Sequence, residues 1–349
     1  MLLTSSSFSV KSRWIPALAL LGLSYFGYSP LGHGQTAGEL PAVRDFISEM
    51  VARYNFDNTT LNRLFERVNL HPEIIDTMTR PAEAKPWHEY RNIFLTQARI
   101  DGGVEFWREQ RAALERAKAE YGVDPAIIVA IIGVETRYGT RTGTYRVIEA
   151  LSTLAFQYPK RAPFFRTQLM EYLLLTRQEG FDPLELKGSY AGAMGLPQFM
   201  PSSFREFAVD LDKDGRRDLW NNPADAIGSV ANYLARHDWQ PGEPIAIAVR
   251  LTNDAKPDSL VDAGLKPTLP FNRVWSAGLL SDQKIPGDSL TAVLRLEGET
   301  GPEYWLGLQN FYAITRYNHS PLYAMAVYQL SQAITAQLAT TLSSTKGLR

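Results

Sequence analysis

Cysteine is absent from the 349-residue chain, and neither sign of charge is in marked excess. Without cysteine the protein has no thiol nucleophile, no cysteine zinc ligand, no disulfide and no lipid-modified N-terminal cysteine. The 36 basic and 37 acidic side chains leave a net charge of -1, which argues against a nucleic-acid-binding protein with a strong basic surface. The remaining composition, 45% hydrophobic and 21% charged, is typical of a globular protein.

Apolar runs long enough to cross a bilayer, which takes roughly 20 residues, are also missing. The run from Trp14 to Tyr28 has only 15 residues, and it follows Lys11 and Arg13 in a segment without acids. Together with the small residues near position 34, this predicts a secretory signal peptide over residues 1–34, with an uncleaved membrane anchor as the alternative. The sequence therefore predicts export to the periplasm of a Gram-negative bacterium and no transmembrane segment in the mature chain.

Helical patterns dominate the mature chain. Asp124 followed by Pro125 is a typical helix start, and the following run is apolar on all sides, which predicts a helix buried in the core. Other helices are predicted between about 40 and 120, including one from about Gly103 to Tyr121, and then at about 146–157, 163–179 and 201–209. Further helices begin at about 222 and 320. Alternating apolar residues at 245–251 and 290–296 predict strands, so the fold class is mainly α with a small β part (α+β).

Glu135 is a carboxylate near the end of the predicted buried helix. Helical spacing places it above Ile132, Ile131 and Ile128, on an apolar face. Burial should raise its pKa and let it hold a proton near neutral pH, as a general acid must. The alternative is a structural carboxylate that is paired with Arg137 or Arg141, or that caps neighbouring backbone amides.

A glycine-rich segment runs from Gly188 to Ser203 and lets the backbone approach a ligand closely. Gln198 and Ser189 supply hydrogen-bonding groups there, and Phe199 supplies an apolar wall. The alternative is an ordinary turn before a helix that Ser203 and Glu206 cap as a Ser-x-x-Glu box.

These two segments resemble the lytic murein transglycosylase B family, through Gly133-Val-Glu-Thr136 and Ala191-Gly-Ala-Met-Gly-Leu-Pro-Gln-Phe-Met-Pro-Ser202. The resemblance covers about residues 40 to 330. It implies a lysozyme-like helical core with a flanking helical domain and a small antiparallel β domain. The corresponding division is a signal peptide at 1–34, a flanking helical domain at 35–120 joined by the C-terminal return and helix at 304–349, a core at 121–242 and a β domain at 243–303.

The resemblance further implies cleavage of the β-1,4 bond between N-acetylmuramic acid and N-acetylglucosamine in peptidoglycan, with a 1,6-anhydromuramoyl product and no organic cofactor. Glu135 would be the single catalytic acid and base, and the substrate would be glycan strands with peptide stems. Lys160 and Arg161 would face the carboxylates of the stem. The implied substrate-binding residues are Ser189, Gln198, Phe199, Tyr233, Tyr90, Lys160, Arg161, Tyr317, Asn318 and Tyr323.

A second carboxylate, which ordinary glycosidases place about 5 to 9 Å from the first, is found in neither motif. Glu149, Glu171 and Glu179 cannot be placed from the sequence. The hypothesis is that Glu135 protonates the bridging oxygen and then takes the proton of the muramic C6 hydroxyl, while the 2-acetamido oxygen supports the cation. A hydrolysing muramidase of the same fold and a non-catalytic peptidoglycan-binding protein are the alternatives.

The segment from Asp210 to Asp218 has the spacing of an EF-hand calcium loop. Acids stand at positions 1, 3, 5 and 9 and glycine at position 6, but position 12 is Asn221 rather than glutamate. In the family a later aspartate closes the site, and Asp225 is its counterpart here unless it merely stands in the first turn of a helix capped by Asn222. The predicted ligands of a structural Ca²⁺ are Asp210, Asp212, Asp214, Arg216 (position 7) and Asp225.

Overall fold

The computed structural model describes residues 35–79, 85–261 and 263–346, with side chains as far as residue 341. The described residues form fifteen α-helices and seven β-strands, which confirms a mainly helical fold with a small β part. The predicted signal peptide at 1–34 lies outside these residues. None of the described helices combines the length and the apolar character that crossing a membrane requires.

Six helices precede the buried one: α1 (Pro41–Tyr54), α2 (Asn58–Phe65), α3 (Pro72–Thr79), α4 (Trp87–Phe94), α5 (Gln97–Glu109) and α6 (Arg111–Tyr121). The single helix expected from about Gly103 to Tyr121 is instead two helices. The first begins earlier, where the hydroxyl of Thr96 accepts from the N–H of Arg99, and the chain turns at Gln110. No glycine or proline marks this turn, so the helical spacing predicted one helix where the structure has two.

The predicted buried helix is α7 (Pro125–Thr136). As expected, the Asp124 side chain caps it by accepting from the N–H of Ala126 at 2.9 Å. All of its residues except Glu135 are buried, and it packs against α5, α6, α11 (Pro223–Arg236) and α15 (Pro321–Lys346). The catalytic candidate therefore lies at the end of the most enclosed helix of the core.

Three helices pack around the glycine-rich segment: α8 (Val147–Gln157), α9 (Ala162–Glu179) and α10 (Pro201–Phe207). The predicted capping box at the start of α10 is wrong. This helix begins at Pro201, so Ser203 is already inside it and buried, and no side chain of its own caps it. Instead the N–H of Ser202 donates to the side chain of Gln168 in α9 at 3.0 Å, a long-range cap that a local pattern cannot reveal.

The strands form two antiparallel sheets. The small one pairs β1 (Tyr145–Arg146) with β2 (Lys187–Gly188) and thereby ties the chain after α7 to the start of the glycine-rich segment. The larger sheet has the order β4-β6-β7-β3-β5 and packs with α12 (Asp258–Val261) and α13 (Phe271–Ser276). Its strands are β3 (Ala246–Leu251), β4 (Leu269–Pro270), β5 (Leu279–Leu280), β6 (Leu290–Glu297) and β7 (Pro302–Gly307).

The larger sheet has an apolar cluster of its own, separate from the main core. Strand β7 continues to Gly307, pairing with β6 over its full length and with β3 from Tyr304 to Gly307. The chain then returns through α14 (Gln309–Tyr317) to the long helix α15. This return brings α15 against α7, and it supplies one wall of the site described next. The predicted division into domains stays a prediction.

Candidate active site

Glu135 and Tyr323 meet across the contact between α7 and α15. The hydroxyl of Tyr323 donates to Oε1 of Glu135 at 2.6 Å, although the two residues are 188 positions apart in sequence. Tyr323 is fully buried, whereas Glu135 keeps part of its surface open. The other carboxylate oxygen has no hydrogen-bond partner among the described residues and forms no ion pair with Arg137 or Arg141. A structural carboxylate held by arginine is therefore not what the fold builds here.

Burial raises the pKa of Glu135 to about 8, and the hydrogen bond from Tyr323 opposes this shift in part. With both effects combined, the carboxyl group is protonated at neutral pH. When it ionises, the Tyr323 hydroxyl donates a charge-assisted hydrogen bond to the carboxylate. Such a group can give up a proton and take one back near physiological pH.

The turn that follows Glu135 is strained. Arg137, Tyr138 and Gly139 have φ angles of 50°, 60° and 88°, so three consecutive residues lie in the left-handed region. For non-glycine residues this conformation costs on the order of 1–3 kcal/mol each and persists only where the surroundings impose it. Here the surroundings are α5 and α7, since the hydroxyl of Tyr138 donates to the carbonyl of Arg99 at 2.8 Å.

The glycine-rich segment is fastened to that same turn at three points. The hydroxyl of Thr136 donates to the carbonyl of Leu196 at 3.0 Å, and the side-chain amide of Gln198 donates to the carbonyl of Thr142 at 3.1 Å. At the third point two backbones touch, because a Cβ on Gly143 would stand 2.0 Å from the carbonyl oxygen of Gly188. The segment therefore lies over the end of α7, beside Glu135.

Ser189 and Gln198 shape the glycine-rich segment from within. The hydroxyl oxygen of Ser189 accepts from the N–H groups of Ala191 and Ala193, at 3.3 and 3.0 Å, so its own hydrogen is left for another acceptor. Gln198, at φ 51°, uses its amide nitrogen on the carbonyls of Thr142 and Gly195. This assignment leaves its side-chain oxygen as an acceptor. Both side chains are partly exposed, so a sugar can reach them.

Four predicted aromatic residues come together next to Glu135. Phe199, Tyr233 and Tyr317 form a cluster with ring centroids 4.9 to 5.8 Å apart. The Tyr317 hydroxyl donates to the carbonyl of Pro197, and the charge of Glu135 contributes to raising its pKa. Tyr323 joins them through its bond to Glu135. Four aromatic side chains that are far apart in sequence thus form one wall of the site.

The other predicted substrate-binding residues are Tyr90, Asn318, Lys160 and Arg161. Tyr90 is buried in α4 with its ring tilted against that of Phe94, and it contributes to raising the pKa of Tyr323. Asn318 is buried at the end of α14. Lys160 is exposed, and Arg161 directly precedes α9, with its guanidinium 4.5 Å from the centroid of the Phe164 ring. Their roles toward substrate stay predictions.

The three carboxylates that the sequence could not place are engaged elsewhere. Glu149 holds His71 at 3.0 Å, Glu171 forms an ion pair with Arg205, and Glu179 forms one with Arg217. No carboxylate of the described residues is among the groups that shift the pKa of Glu135. Within the described chain, Glu135 is therefore the one acidic group that the site presents.

The aspartates of the predicted calcium loop also come together. Carboxylate oxygens of Asp210, Asp212 and Asp214 lie within 4.8 Å of one another, and Asp210 accepts from the N–H of Gly215, so the loop closes on itself. Asp225 is buried and accepts from loop amides on either side, at 2.9 Å each.

This concentration of carboxylates suits a hard cation with oxygen ligands. Burial and the nearby charges of Asp212 and Asp210 raise the pKa of Asp225 to about 6. Arg216 is exposed and offers its backbone carbonyl at most. Asn222 caps α11, so Asp225 does stand in the first turn of a capped helix, as the alternative interpretation supposed. Its carboxylate nevertheless points back to the loop and not outward.

Two supporting residues of the site escaped the sequence analysis. Tyr138 anchors the strained turn, and its only local signal was its position three residues after Glu135. His237 stacks on Tyr233 at 4.1 Å and contacts the backbone carbonyl of that residue at 2.7 Å through Nδ1. The i,i+4 spacing of the latter pair on α11 was a usable signal.

Similarity to known proteins is extensive. The profile of the family described as Transglycosylase SLT domain matches residues 38–332. The chain is 43% identical over 304 residues to the Membrane-bound lytic murein transglycosylase B of Escherichia coli (strain K12), covering 84% of this chain and 82% of that protein.

Solved structures agree. Lytic transglycosylase SltB1 from Pseudomonas aeruginosa is 50% identical, with a TM-score of 0.82 over 86% of this chain and 99% of that one. Slt35 of Escherichia coli, in complex with calcium, is 42% identical with a TM-score of 0.81 over 88% and 96%. SltB3 from Pseudomonas aeruginosa, in complex with NAG-anhNAM-pentapeptide, is 31% identical with a TM-score of 0.76 over 86% and 80%. The chain therefore belongs to the lytic murein transglycosylase B family and is a peptidoglycan lytic transglycosylase.

Proposed function

We propose that the enzyme cleaves the β-1,4 bond between N-acetylmuramic acid and N-acetylglucosamine and forms a 1,6-anhydromuramoyl end, with Glu135 as acid and then base. The observation that carries this proposal is the single carboxyl group with a pKa of about 8, held by one hydroxyl donor and facing the glycine-rich segment. The NAG-anhNAM-pentapeptide bound to SltB3, a relative, is consistent with such a product.

The first step is proton donation. Tyr323 occupies Oε1 of Glu135, so the acidic proton resides on Oε2, which has no partner among the described residues. Oε2 donates this proton to the bridging oxygen as the bond from that oxygen to the muramic C1 breaks. The 2-acetamido oxygen of the same sugar supports the positive charge that develops at C1.

The second step returns the proton. Glu135 is now a carboxylate in an apolar setting, where burial favours reprotonation and the Tyr323 hydroxyl stabilises the charge in the interval. It takes the proton of the C6 hydroxyl as the C6 oxygen attacks C1. One carboxyl group thus suffices, and neither water nor a second carboxylate enters the balance.

Closure by the C6 hydroxyl instead of water requires that the sugar be held and water be kept away. Ser189 offers a hydroxyl hydrogen and Gln198 an amide oxygen to the sugar, and Phe199, Tyr233 and Tyr317 provide the apolar wall. Lys160 and Arg161 bind carboxylates of the peptide stem, and Tyr90 and Asn318 complete the cleft.

A hydrolysing muramidase would use the same cleft with water as the nucleophile, and digestion of purified sacculi in H₂¹⁸O separates the two reactions. We expect muropeptides that are one water lighter than reducing-end forms and carry no ¹⁸O. Reducing ends labelled with ¹⁸O would contradict the proposed cyclisation. Binding to sacculi without any release of muropeptides would contradict catalysis and favour a glycan-binding role.

The loop around Asp210, Asp212 and Asp214 would hold a structural Ca²⁺, with the carbonyl of Arg216 and the carboxylate of Asp225 as further ligands. The calcium in the Slt35 structure and the acidic cluster of this chain support this assignment. The ion would neutralise crowded carboxylates and fix the approach to α11, which carries Tyr233. The enzyme would act in the periplasm, where its substrate lies.

A further inference from the structure

Arg99 is a buried cation to which none of the described residues supplies a counter-ion. Only 5% of it is exposed, and its guanidinium lies over the ring of Phe94 at 4.9 Å. Two of its nitrogens, Nε and Nη1, are enclosed and have no hydrogen-bond acceptor. A buried charge that is neither paired nor hydrogen-bonded is unfavourable, so its presence calls for an explanation beyond packing.

Two more arginines place positive charge near Arg99. Arg137 and Arg141 are close enough to Arg99 to lower its pKa, together with burial, to about 10. Tyr138 is the other group that acts on it; no carboxylate does. None of the three arginines is ion-paired with an acidic side chain of the described chain, so three positive charges gather with nothing to balance them.

These arginines stand beside the catalytic carboxyl group. Arg137 ends α7 two residues after Glu135, and the N–H of Arg141 donates to the carbonyl of Thr136 at 2.9 Å. The Tyr138 hydroxyl binds the carbonyl of Arg99 and so ties α5 to this turn.

On the other side, the aromatic chain of α4 leads from the guanidinium back to the site. Phe94 lies under Arg99, and the ring of Tyr90 contacts that of Phe94 in a tilted arrangement with centroids 5.2 Å apart. Tyr90 acts electrostatically on Tyr323, which holds Glu135. A series of aromatic rings on α4 and α15 therefore connects the guanidinium of Arg99 with the residue that holds Glu135.

From this geometry we infer that Arg137 and Arg141, with the positive charge of buried Arg99 behind them, form an anion subsite that binds a carboxylate of the substrate's peptide stem. The inference rests on the proposed function, because it takes the stem from that substrate. A guanidinium binds a carboxylate through two parallel N–H···O bonds, and exposed Arg141 and partly exposed Arg137 can reach such a group from the surface. This subsite is distinct from the pair at Lys160 and Arg161, which begins α9.

The test compares two substrates with three variants. Arg141→Gln removes an exposed charge without disturbing the core, and Arg99→Met keeps the apolar stem over Phe94. Arg111→Gln, which removes an exposed arginine paired with Glu115 in α6, is the matched control. Initial rates are measured on glycan strands with intact peptide stems and on the same strands after an amidase has removed the stems.

On intact strands we expect kcat/KM to fall about tenfold in Arg141→Gln and Arg99→Met, mainly through KM, as for a lost charge-assisted hydrogen bond. On stripped strands both variants should match the wild type within about twofold, and Arg111→Gln should match it on both substrates. Equal losses on both substrates would assign the arginines a structural role and overturn the inference, as would no loss in Arg141→Gln.

Free stem tripeptide and inorganic phosphate, compared at constant ionic strength, identify the source of the anion. The tripeptide should inhibit the wild type, and Arg141→Gln should be less sensitive to it; equal inhibition by phosphate would refute the assignment to the stem. Failure of the proposed function is a separate result, because the wild type would then release no anhydro ends from either substrate.

Discussion

Removing the hydroxyl of Tyr323 should move the pH dependence of the enzyme in a direction that the structure fixes. Tyr323→Phe deletes the 2.6 Å hydrogen bond to Glu135, which favours the ionised carboxylate. A hydrogen bond to a charged group contributes about 1.5–3 kcal/mol, and about 1.4 kcal/mol corresponds to one pKa unit. The pKa of Glu135, about 8 in the wild type, should therefore rise by about 1–2 units.

The sign of the effect on activity follows from the proposed mechanism, in which Glu135 must carry a proton to begin the reaction. Activity falls on the alkaline side as Glu135 loses its proton, so the alkaline limb of kcat/KM should shift upward by about 1–2 pH units in the variant. At neutral pH kcat should fall about 10- to 100-fold, because the carboxylate formed in the first step is less well stabilised. The assay is the release of muropeptides from glycan strands between pH 5 and pH 10.

Tyr328→Phe is the control, since Tyr328 also lies on α15 and its hydroxyl donates to a backbone carbonyl at 3.1 Å, in the contact with β3. It should keep the wild-type pH profile. An alkaline limb that stays in place or moves downward in Tyr323→Phe, while the protein remains folded, would refute the role assigned to this hydrogen bond.

Three further predictions concern stability. Glu135 binds more protons in the folded than in the unfolded state between about pH 4.5 and 8, so its contribution to stability declines as pH rises through this window. Glu135→Gln should remove that decline and raise the unfolding free energy at pH 7 by on the order of 1–3 kcal/mol. Chemical denaturation at several pH values measures this gain, and finding none would contradict a destabilising carboxyl group. Calcium at a hundredfold excess over its Kd should raise Tm by about 5 °C, and this shift should vanish in Asp212→Asn; an equal shift in that variant would place the ion elsewhere. Gly143→Ala should lower the unfolding free energy by more than about 3 kcal/mol and abolish activity, because the new Cβ would meet the backbone of Gly188. Gly180→Ala, where φ is 72° and a Cβ would meet no other atom, should lower it by only about 1 kcal/mol. Similar losses in the two variants, measured by thermal unfolding, would contradict the close contact.

Local signals predicted the frame of the fold well. Asp124 and Pro125 gave the start of α7, and unbroken apolar spacing gave its burial, since both are properties of one segment. The turn at Gln110 and the start of α10 were misread for the opposite reason. There the chain direction depends on residues elsewhere, such as Gln168 reaching across from α9.

The site shows the same division. Glu135 was identified because an acid on an apolar helix face is unusual within its own segment. Its bond to Tyr323, by contrast, depends on how α15 packs on α7. The burial of Arg99 was equally invisible, because a lone arginine in a helical pattern predicts a solvated face. The sequence thus predicted the proposed reacting group, whereas the groups that contact it depend on tertiary packing.

The most direct test of Glu135 as acid and base is the release of anhydro-muropeptides from sacculi by Glu135→Gln. Glu171→Gln serves as the control, since Glu171 pairs with Arg205 outside the site. The amide cannot donate and recover the proton, so Glu135→Gln should fold, bind sacculi and release products at least about 100-fold more slowly than the wild type, while the control remains active. Release by Glu135→Gln within about tenfold of the wild-type rate would contradict the assignment.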